Sequence, residues 1–293
     1  MDRTGIVPWL DSNEWLDTTA QAVQQTVGRV FDALGPAGRQ VKNVLHGTWL
    51  GHPLHPALTD IPLGAWTATV MLDAVAERTG NAGIARASDA ALELGLVGAV
   101  GAAVTGAADW KDTDARPRRV GLPHAALNVG ATLLFGGSLI CRAVGNRAAG
   151  RALAATGYLV AAAAAYLGGE LVYQEQIGVN HSAGLELPEH FTAVLADADL
   201  AEGRLMRAHY KDTPILLARQ GGRNCALVER CAHLGGPLAD GKIEGETVSC
   251  PWHGSRFDLS SGAVIDGPSA FPQPCLEART RAGQIEVRAS QAG

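Results

Sequence analysis

The chain has 293 residues, enough for two domains, and its net charge of −5 at a pI near 6.0 excludes the basic footprint expected of a nucleic-acid-binding protein. Five cysteines, an odd number without regular spacing, do not form a disulfide framework and favour a reducing compartment. Residues 1–15 lack a basic segment followed by an apolar one, so no secretory signal is predicted.

The first predicted element is an amphipathic helix within the N-terminal segment, residues 1–45. Its apolar positions recur at helical spacing: Leu16, Ala20, Val23, Val27, Val30, Phe31 and Leu34. Two alternatives fit this pattern equally well. The helix either lies on a membrane surface or packs as a surface helix on a soluble domain.

The second region, residues 46–175, is rich in Ala, Gly, Leu and Val. It contains four apolar segments, at residues 61–76, 88–108, 120–141 and 152–169. Their lengths approach the ~20 residues that cross a hydrocarbon core. The last two contain no Asp, Glu, Lys or Arg, and the many small residues suit close helix packing in lipid. We therefore predict an all-α four-helix transmembrane bundle.

A soluble, Ala-rich four-helix bundle is the alternative. The first two segments contain Asp73, Asp89 and Glu93, which lipid would penalise, and the mean hydropathy of the whole chain is only +0.06. The last two segments, however, have no polar face for water to contact, and a soluble bundle helix should have one. The membrane interpretation is therefore preferred.

A polar linker at residues 176–190 leads into a third region, residues 191–291. Short β-type runs alternate there with turn sequences. The runs are residues 191–196, 205–210, 214–219, 225–230, 246–250, 255–260, 276–280 and 284–289. The whole chain is thus predicted to be multidomain, with the helical bundle followed by an all-β domain of about 100 residues.

The strongest chemical signal lies in this third region. Two Cys–His pairs, Cys231-Ala-His233 and Cys250-Pro-Trp-His253, are separated by sixteen residues. A Cys2His2 zinc site is one interpretation. In a zinc finger, however, cysteine pairs with cysteine and histidine with histidine, whereas here each pair supplies one of each. A cluster of two irons, one held by two cysteines and the other by two histidines, fits this pattern better.

Glycines follow both pairs. We expect Gly235, Gly236 and Gly254 to let backbone N–H groups approach the bridging sulfides, because glycine has no Cβ in the way.

Residues 191–291 resemble the Rieske iron–sulfur domain family. The stretches CAHLGGPLADG, CPWHGSRFDLSSG and DGPSAFPQPCLEAR are similar to its two cluster loops and its proline loop. The resemblance implies a [2Fe-2S] cluster in which Cys231 and Cys250 hold one iron and His233 and His253 hold the solvent-facing one. Two neutral imidazoles leave the oxidised cluster neutral, whereas four thiolates would make it a dianion, so the potential rises.

Within the family the sequence resembles the ferredoxin type. The two extra cysteines that brace the respiratory type correspond here to Gly236 and Trp252. Ser255 keeps a hydroxyl that could bond a cluster sulfur, while Phe257 replaces a tyrosine that would supply a second such bond. We expect a potential in the lower part of the Rieske range of about −150 to +300 mV. Cys225 and Cys275 are expected to pack as small apolar side chains.

The predicted function is one-electron transfer between a soluble redox partner, a reductase or an oxygenase, and a membrane or oxygenase partner. A complete Rieske oxygenase would need a mononuclear iron domain after the cluster, but the 40 residues after His253 contain no histidine. We therefore expect an electron-transfer protein or oxidoreductase component rather than a stand-alone enzyme. An iron–sulfur redox sensor or accessory subunit without its own catalysis is the alternative.

The helical region also carries a resemblance. GHPLHPALTDIPLGAW and YLGGELVYQEQIGVNH are similar to a family of predicted bacterial four-helix membrane domains of uncharacterised function, over residues 45–182. The resemblance implies a topology but no chemistry. Four spans would place both ends of the region and the loop 110–121 on one face, which carries eight Lys and Arg against five opposite. The positive-inside rule then predicts a multi-pass protein of the plasma (inner) membrane with the Rieske domain in the cytoplasm.

Histidines in the helical region suggest a second centre. His52 and His55 are expected to precede the first helix, His124 to open the third, and His181 to follow the fourth. His55 and His124 are the candidate pair for a b-type haem or a second metal ion, on the same face as the Rieske domain. The alternative is that these histidines cap helix ends, bond backbone carbonyls or lie wet at the interface.

Overall fold

The protein is described by a computed structural model over residues 13–290, which divide into two compact units. The helical unit comprises residues 13–38 and Pro53–Ile177. The β unit comprises Arg39–His52 and residues 178–290. The predicted domain boundaries follow the linear sequence whereas these units follow contacts, so those boundaries stay a prediction.

Residues 13–290 contain six α-helices: α1 Glu14–Ala33, α2 Gly35–His46, α3 Leu54–Thr79, α4 Ala82–Lys111, α5 Ala115–Ala143 and α6 Arg147–Tyr173. Helices α3 to α6 are the predicted apolar segments, each extended at both ends. Asn81 caps α4, its Oδ1 accepting from Gly83 N at 2.8 Å, and Asn146 caps α6 through Ala149 N at 3.2 Å. The all-α part of the predicted fold class is confirmed.

Three of these helices, α4, α5 and α6, are long and apolar enough to cross a membrane by length and composition. Helix α3 carries Asp60, Asp73 and Glu77 and does not meet the same standard. The outward side chains of the three apolar helices are large and exposed, among them Val97 (73%), Leu133 (71%) and Leu159 (70%). Such a surface is typical of a protein face that contacts lipid or another protein.

The four helices form two similar hairpins, α3–α4 and α5–α6, which constitute an internal repeat. The equivalent positions share the same spacing along each helix and are His55/His124, Trp66/Phe135, Asp73/Arg142, Gly95/Gly157, Ala102/Ala164 and Gly106/Gly168. Few of the remaining residues are identical, so the repeat is evident from the contacts of equivalent residues rather than from sequence identity.

Glycines in each hairpin leave space for a ring of the neighbouring helix. A Cβ at Gly106 would lie 2.7 Å from His55 Cε1, and one at Gly168 would lie 3.1 Å from His124 Cε1. Gly95 lies against Trp66 in the same way. The small residues therefore let the paired helices approach closely.

The two hairpins meet through an aromatic stack and a buried ion pair. Trp66 stacks on Phe135 with ring centroids 4.1 Å apart and planes 11° from parallel. Towards the other end, Arg142 Nη1 donates to Asp73 Oδ1 at 2.9 Å, and the second guanidinium nitrogen bonds Asp73 Oδ2. Both side chains are buried, and Ser88 adds a hydroxyl bond to Asp73 at 2.7 Å. Each charge is thus compensated where water is excluded.

Helix α1 packs on the helical unit through half of its predicted apolar face. Leu16 and Ala20 are buried, whereas Val30 and Leu34 are exposed. The Gln24 side chain donates to the carbonyls of Trp110 and Thr113 at 2.8 and 2.9 Å. One side of α1 therefore packs on the helical unit.

The β unit contains two antiparallel sheets. The six-stranded sheet has the order β1-β10-β9-β4-β3-β2, and the four-stranded sheet has the order β5-β6-β7-β8. The strands are β1 Thr192–Ala196, β2 Leu205–Tyr210, β3 Thr213–Gln220, β4 Arg223–Val228, β5 Lys242–Glu244, β6 Thr247–Ser249, β7 Arg256–Asp258, β8 Val264–Asp266, β9 Cys275–Arg281 and β10 Gln284–Ala289. The predicted all-β architecture is confirmed, and β5 and β8 are additional to the predicted runs.

Strand β3 is buried on both faces of its sheet. Ile215 and Leu217 pack in one core cluster, and Leu216 and Ala218 pack in a second cluster that also contains Cys231. Side chains alternate between faces along a strand, so one continuous apolar run serves both cores. The second cluster lies directly beneath the two Cys–His loops.

Candidate metal centre

Two loops bring the four predicted site residues together. Loop 1, residues 231–236, follows β4, and loop 2, residues 250–255, joins β6 to β7. The thiols of Cys231 and Cys250 share a hydrogen bond. The rings of His233 and His253 lie with centroids 5.1 Å apart and planes at 86°. One pair of thiols therefore faces one pair of imidazoles.

The two loops repeat one backbone arrangement. Gly235 N donates to Cys231 O at 2.9 Å, and Gly254 N donates to Cys250 O at 3.1 Å. Both glycines have φ of 76°, in the left-handed region that disfavours other residues. The N–H groups of the two glycines themselves bond the cysteine carbonyls, and the expectation that these glycines let backbone N–H groups approach bridging sulfides stays a prediction.

Other backbone N–H groups point at the sulfurs. His233 and Leu234 donate to the Cys231 thiol, and Trp252 and His253 donate to the Cys250 thiol. The bond between the thiols raises the pKa of Cys231 and lowers the pKa of Cys250 to about 7, although burial opposes the second effect. A thiolate forms readily on one cysteine, and thiolates are the form that binds metal.

Gly236 leaves space beside the sulfurs. A Cβ there would lie 2.9 Å from Cys250 Sγ and 3.0 Å from Trp252 Cδ2. The cysteines are buried, whereas His233 and His253 are half-buried. Soft sulfur ligands on the inside and nitrogen ligands towards the surface fit the donor set of a two-iron cluster with mixed ligation.

One side chain that the sequence analysis did not single out, Gln273, holds loop 1. Gln273 is buried; its Oε1 accepts from Ala232 N at 2.9 Å, and its Nε2 donates to Val228 O and Arg230 O at 2.6 and 2.7 Å. It lies in the proline loop, residues 266–274. An amide that bonds three backbone groups leaves no spacing signal, so the sequence could not identify it.

Loop 2 is held by two serines. Ser255 is buried, and its Oγ accepts from Ser269 N of the proline loop at 3.0 Å. Ser255 O accepts from Cys250 N at 2.8 Å. The hydroxyl predicted to act near the cluster is therefore fixed by the proline loop. Phe257 is fully buried in the second core cluster.

The described residues include all five cysteines, and none of them forms a disulfide. Cys225 and Cys275 are half-buried at the edge of the second core cluster, as predicted, and burial raises the pKa of each. Trp252, at one position where the respiratory type has a cysteine, is 57% exposed.

The predicted second site falls in the helical unit. His55 lies in the first turn of α3 rather than before the helix, because prolines at 53 and 56 are accepted at a helix start. His124 lies in the interior of α5, which begins at Ala115, rather than at its first turn. His55 Nδ1 lies 2.9 Å from Ala102 O, and His124 Nδ1 lies 2.8 Å from Ala164 O. His52 and His181 belong to the β unit.

The remaining ring nitrogen of His124 lies 3.2 Å from the Asn128 amide. Within residues 13–290 no three His, Cys, Asp or Glu side chains surround one point that could hold a metal ion. A site with only two protein ligands per metal, as in the two-iron cluster or a haem, would not form such a group.

Comparison with known proteins gives two family matches. Residues 190–277 match the family described as the Rieske [2Fe-2S] domain, and residues 51–181 match the family described as a predicted membrane protein (DUF2231).

Three curated relatives each match about a third of this chain. Ferredoxin CarAc of Metapseudomonas resinovorans is 26% identical over 95 residues, which cover 32% of this chain and 89% of the relative. The ferredoxin component of biphenyl 2,3-dioxygenase from Rhodococcus jostii is 30% identical over 81 residues, 28% of this chain and 76% of the relative. Apoptosis-inducing factor 3 of Homo sapiens is 31% identical over 99 residues, 34% of this chain but only 16% of that relative's length.

Two antiparallel sheets that present one Cys–His loop each define a Rieske-type iron–sulfur fold. The chain belongs to the Rieske [2Fe-2S] family, and its cofactor is a [2Fe-2S] cluster. The helices that precede the cluster domain match the predicted membrane-protein family, so the predicted fusion of the two families is confirmed.

Proposed function

We propose that the protein is a membrane-anchored one-electron carrier. The observation that carries this proposal is the pairing of two buried thiols with two half-buried imidazoles on loops 1 and 2. The [2Fe-2S] cluster supplies a centre that accepts and releases one electron. The residues around it exclude water from the sulfurs and leave the imidazoles near the surface.

Within this proposal Cys231 and Cys250 ligate one iron, and His233 and His253 ligate the other. The N–H groups that point at each thiol stabilise the thiolate charge. Gln273 and Ser255 fix the loops, so little rearrangement accompanies a change of charge. The exposed ring of Trp252 lies beside His253, with centroids 6.3 Å apart, on the surface where a partner would approach.

The proposed partners are soluble redox proteins, a reductase or an oxygenase component. Two of the relatives are named as ferredoxins, and one of these is a component of biphenyl 2,3-dioxygenase. A membrane acceptor or donor would take the other side of the exchange, because the helical unit would keep the carrier at the bilayer.

The helices would anchor the protein in the plasma (inner) membrane with the cluster domain in the cytoplasm. The exposed apolar faces of α4, α5 and α6 support anchoring. The orientation rests on eight positive residues against five. Arg142, one of the five, is buried beside Asp73, so it would not contribute to a loop charge. A reporter fused to the C-terminus should be active inside the cell, and labelling of that terminus from outside would refute the orientation.

The full-length protein, purified in detergent, tests the function. Reduction should give a Rieske electron paramagnetic resonance (EPR) signal, and the oxidised cluster should accept one electron from a ferredoxin reductase. Between about pH 7 and 11 the potential should fall as a ligating imidazole loses a proton. A potential that stays flat over that interval would contradict histidine ligation, and absence of the signal would contradict the carrier function.

A haem b or a second metal at His55 and His124 stays a prediction. Both Nδ1 atoms bond backbone carbonyls, as the alternative to a ligand role also predicts; in a ligand role the same bonds would orient the rings and leave the Nε2 atoms for the metal. A Soret band in the full-length protein that disappears in His55→Ala and in His124→Ala is expected. An iron-replete preparation with only the Rieske spectrum and no second metal would overturn it.

A further inference from the structure

A segment that precedes the membrane-type helices forms part of the β unit. Residues Arg39–His52, here called the N-terminal brace, contain the end of α2 and a short 3-10 helix at Thr48–Leu50. Helix α3 begins two residues after the brace, and the rest of the β unit begins at Gly178. The β unit is therefore built from two chain segments, with the four helices inserted between them.

One side chain of the brace makes a two-point contact with the proline loop. Asn43 Oδ1 accepts from Gly267 N at 2.9 Å, and Asn43 Nδ2 donates to Asp266 Oδ1 at 3.0 Å. Arg39 adds a longer contact to Asp266 at 3.9 Å. The Asn43 amide bonds a backbone N–H through its oxygen and a carboxylate through its nitrogen. Two bonds from one side chain fix the orientation of the proline loop relative to the brace as well as the distance between them.

The brace also packs closely against the loop. A Cβ at Gly267 would lie 3.3 Å from His46 Cδ2 and 3.3 Å from Thr48 Cγ2, so a side chain there would require these neighbours to move by a few tenths of an ångström. His46 is buried there. Further along, the ring of His52 meets Phe271 edge to face at 6.0 Å.

The proline loop passes this contact on to loop 2. Asp266 accepts from Arg256 Nη1 at 2.9 Å, and Ser269 N donates to Ser255 Oγ at 3.0 Å. Ser255 in turn holds the backbone N–H of Cys250 at 2.8 Å. Hydrogen bonds, joined by the backbone from Gly267 to Ser269 and by Ser255 itself, therefore connect Asn43 in the brace to a proposed cluster ligand.

We propose that Asn43 is a positioning residue for the redox centre, and that the segment entering the first membrane-type helix sets the reduction potential through the proline loop. The inference rests on the proposed electron-carrier function. Loosening the Asn43 contact lets the proline loop move away from Ser255, so the serine hydroxyl is no longer fixed beside the cluster sulfurs. A hydrogen bond to a cluster sulfur favours the reduced form, so its weakening lowers the potential.

The test compares full-length Asn43→Ala with Gln40→Ala, an exposed amide on the same helix. Redox titration followed by EPR measures the potential, and iron analysis confirms loading. Asn43→Ala should reduce the equilibrium constant for reduction by about threefold to tenfold, at most about 59 mV, with shifted g-values at full iron content. Gln40→Ala should match the wild type.

A second variant keeps the test decisive if Asn43→Ala loses its cluster. Gly267→Ala retains every polar partner but pushes His46 and Thr48 away, and it should lower the potential in the same direction. A wild-type Rieske signal with unchanged potential and g-values in the loaded variants overturns the positioning role and leaves the carrier function standing. Absence of that signal in the wild type instead overturns the carrier function.

Discussion

The helical unit joins two similar hairpins, and the β unit joins two similar Cys–His loops, but different forces hold each pair together. In the helical unit two hairpins meet through small residues, the Trp66–Phe135 stack and one buried ion pair. In the β unit two loops meet at the Cys231 and Cys250 thiols and at the His233 and His253 rings, while backbone hydrogen bonds hold the shape of each loop. The helical unit therefore depends on shape and on one compensated charge, whereas the β unit depends on the metal and on a polar network.

The largest expected effect separates the two units completely. Cys231→Ala removes a proposed ligand, so the full-length protein should lose its Rieske EPR signal and its iron, while the α-helical circular dichroism stays. Cys141→Ala, on α5, is the matched control and should keep both irons. Iron retained by Cys231→Ala would show that the proposed ligand set is wrong.

The buried ion pair gives the next largest effect. Asp73→Asn removes the buried carboxylate and leaves the Arg142 guanidinium paired only with Asp89, whose more exposed Oδ1 lies 2.9 Å from Nη1, so the helical unit should lose at most about 3–5 kcal/mol. Thermal unfolding in detergent measures it. Glu77→Gln, which breaks the more exposed pair with Arg151, should cost no more than about 1 kcal/mol. If both variants lose the same stability, burial of the Asp73–Arg142 pair does not make it more important than the exposed pair.

Glycine substitutions test the role of shape. Gly95→Ala places a methyl group against the indole of Trp66 and should cost about 1–3 kcal/mol by overpacking. In Gly64→Ala on α3 the new methyl group meets nothing within 4 Å. This variant should therefore stabilise the helical unit, because alanine favours a helix over glycine by about 1 kcal/mol. If both variants shift the melting temperature in the same direction, close packing does not hold the hairpins together.

The smallest effect concerns helix α1. Burial alone would raise the pKa of Asp17, but hydrogen bonds from Arg119 and Arg118 and their charges outweigh it and hold the pKa below its usual value. The ionised Asp17 therefore stabilises the folded protein fully above its unfolded pKa of about 3.9. This stabilisation is lost as the pH falls through the folded pKa.

At neutral pH, Asp17→Asn should loosen α1 by about 0.2–1 kcal/mol. Faster hydrogen exchange in residues 14–33 measures the change. Asp32→Asn, an exposed carboxylate on the same helix, should exchange like the wild type. Unchanged exchange in Asp17→Asn would mean that the ion pairs do not dock α1.

Sequence patterns predicted the cluster residues because metal chemistry demands cysteine and histidine at short, fixed spacing. Strands β6 and β7 are as short as β5 and β8 but lie within longer β-type runs, whereas β5 and β8 begin at or directly after the turn sequences 239–242 and 260–263 and so escaped prediction. The hairpin repeat escaped because Ala and Gly occur throughout these helices, and only contacts show which glycines face a ring. Asn43 lies 223 residues from its partner Asp266, and no local pattern could connect them.

The ion pair between the hairpins also determines which two hairpins can pair with each other. Asp73 and Arg142 occupy equivalent positions, so two copies of the first hairpin would bring two carboxylates together, and two copies of the second would bring two guanidiniums together. Inside an apolar bundle either match leaves like charges without a counter-ion, which is far less stable than the observed pair. Opposite charges at equivalent positions thus make the two hairpins complementary to each other and not to themselves. During assembly each hairpin would reject its own copy and select the other half of the same chain.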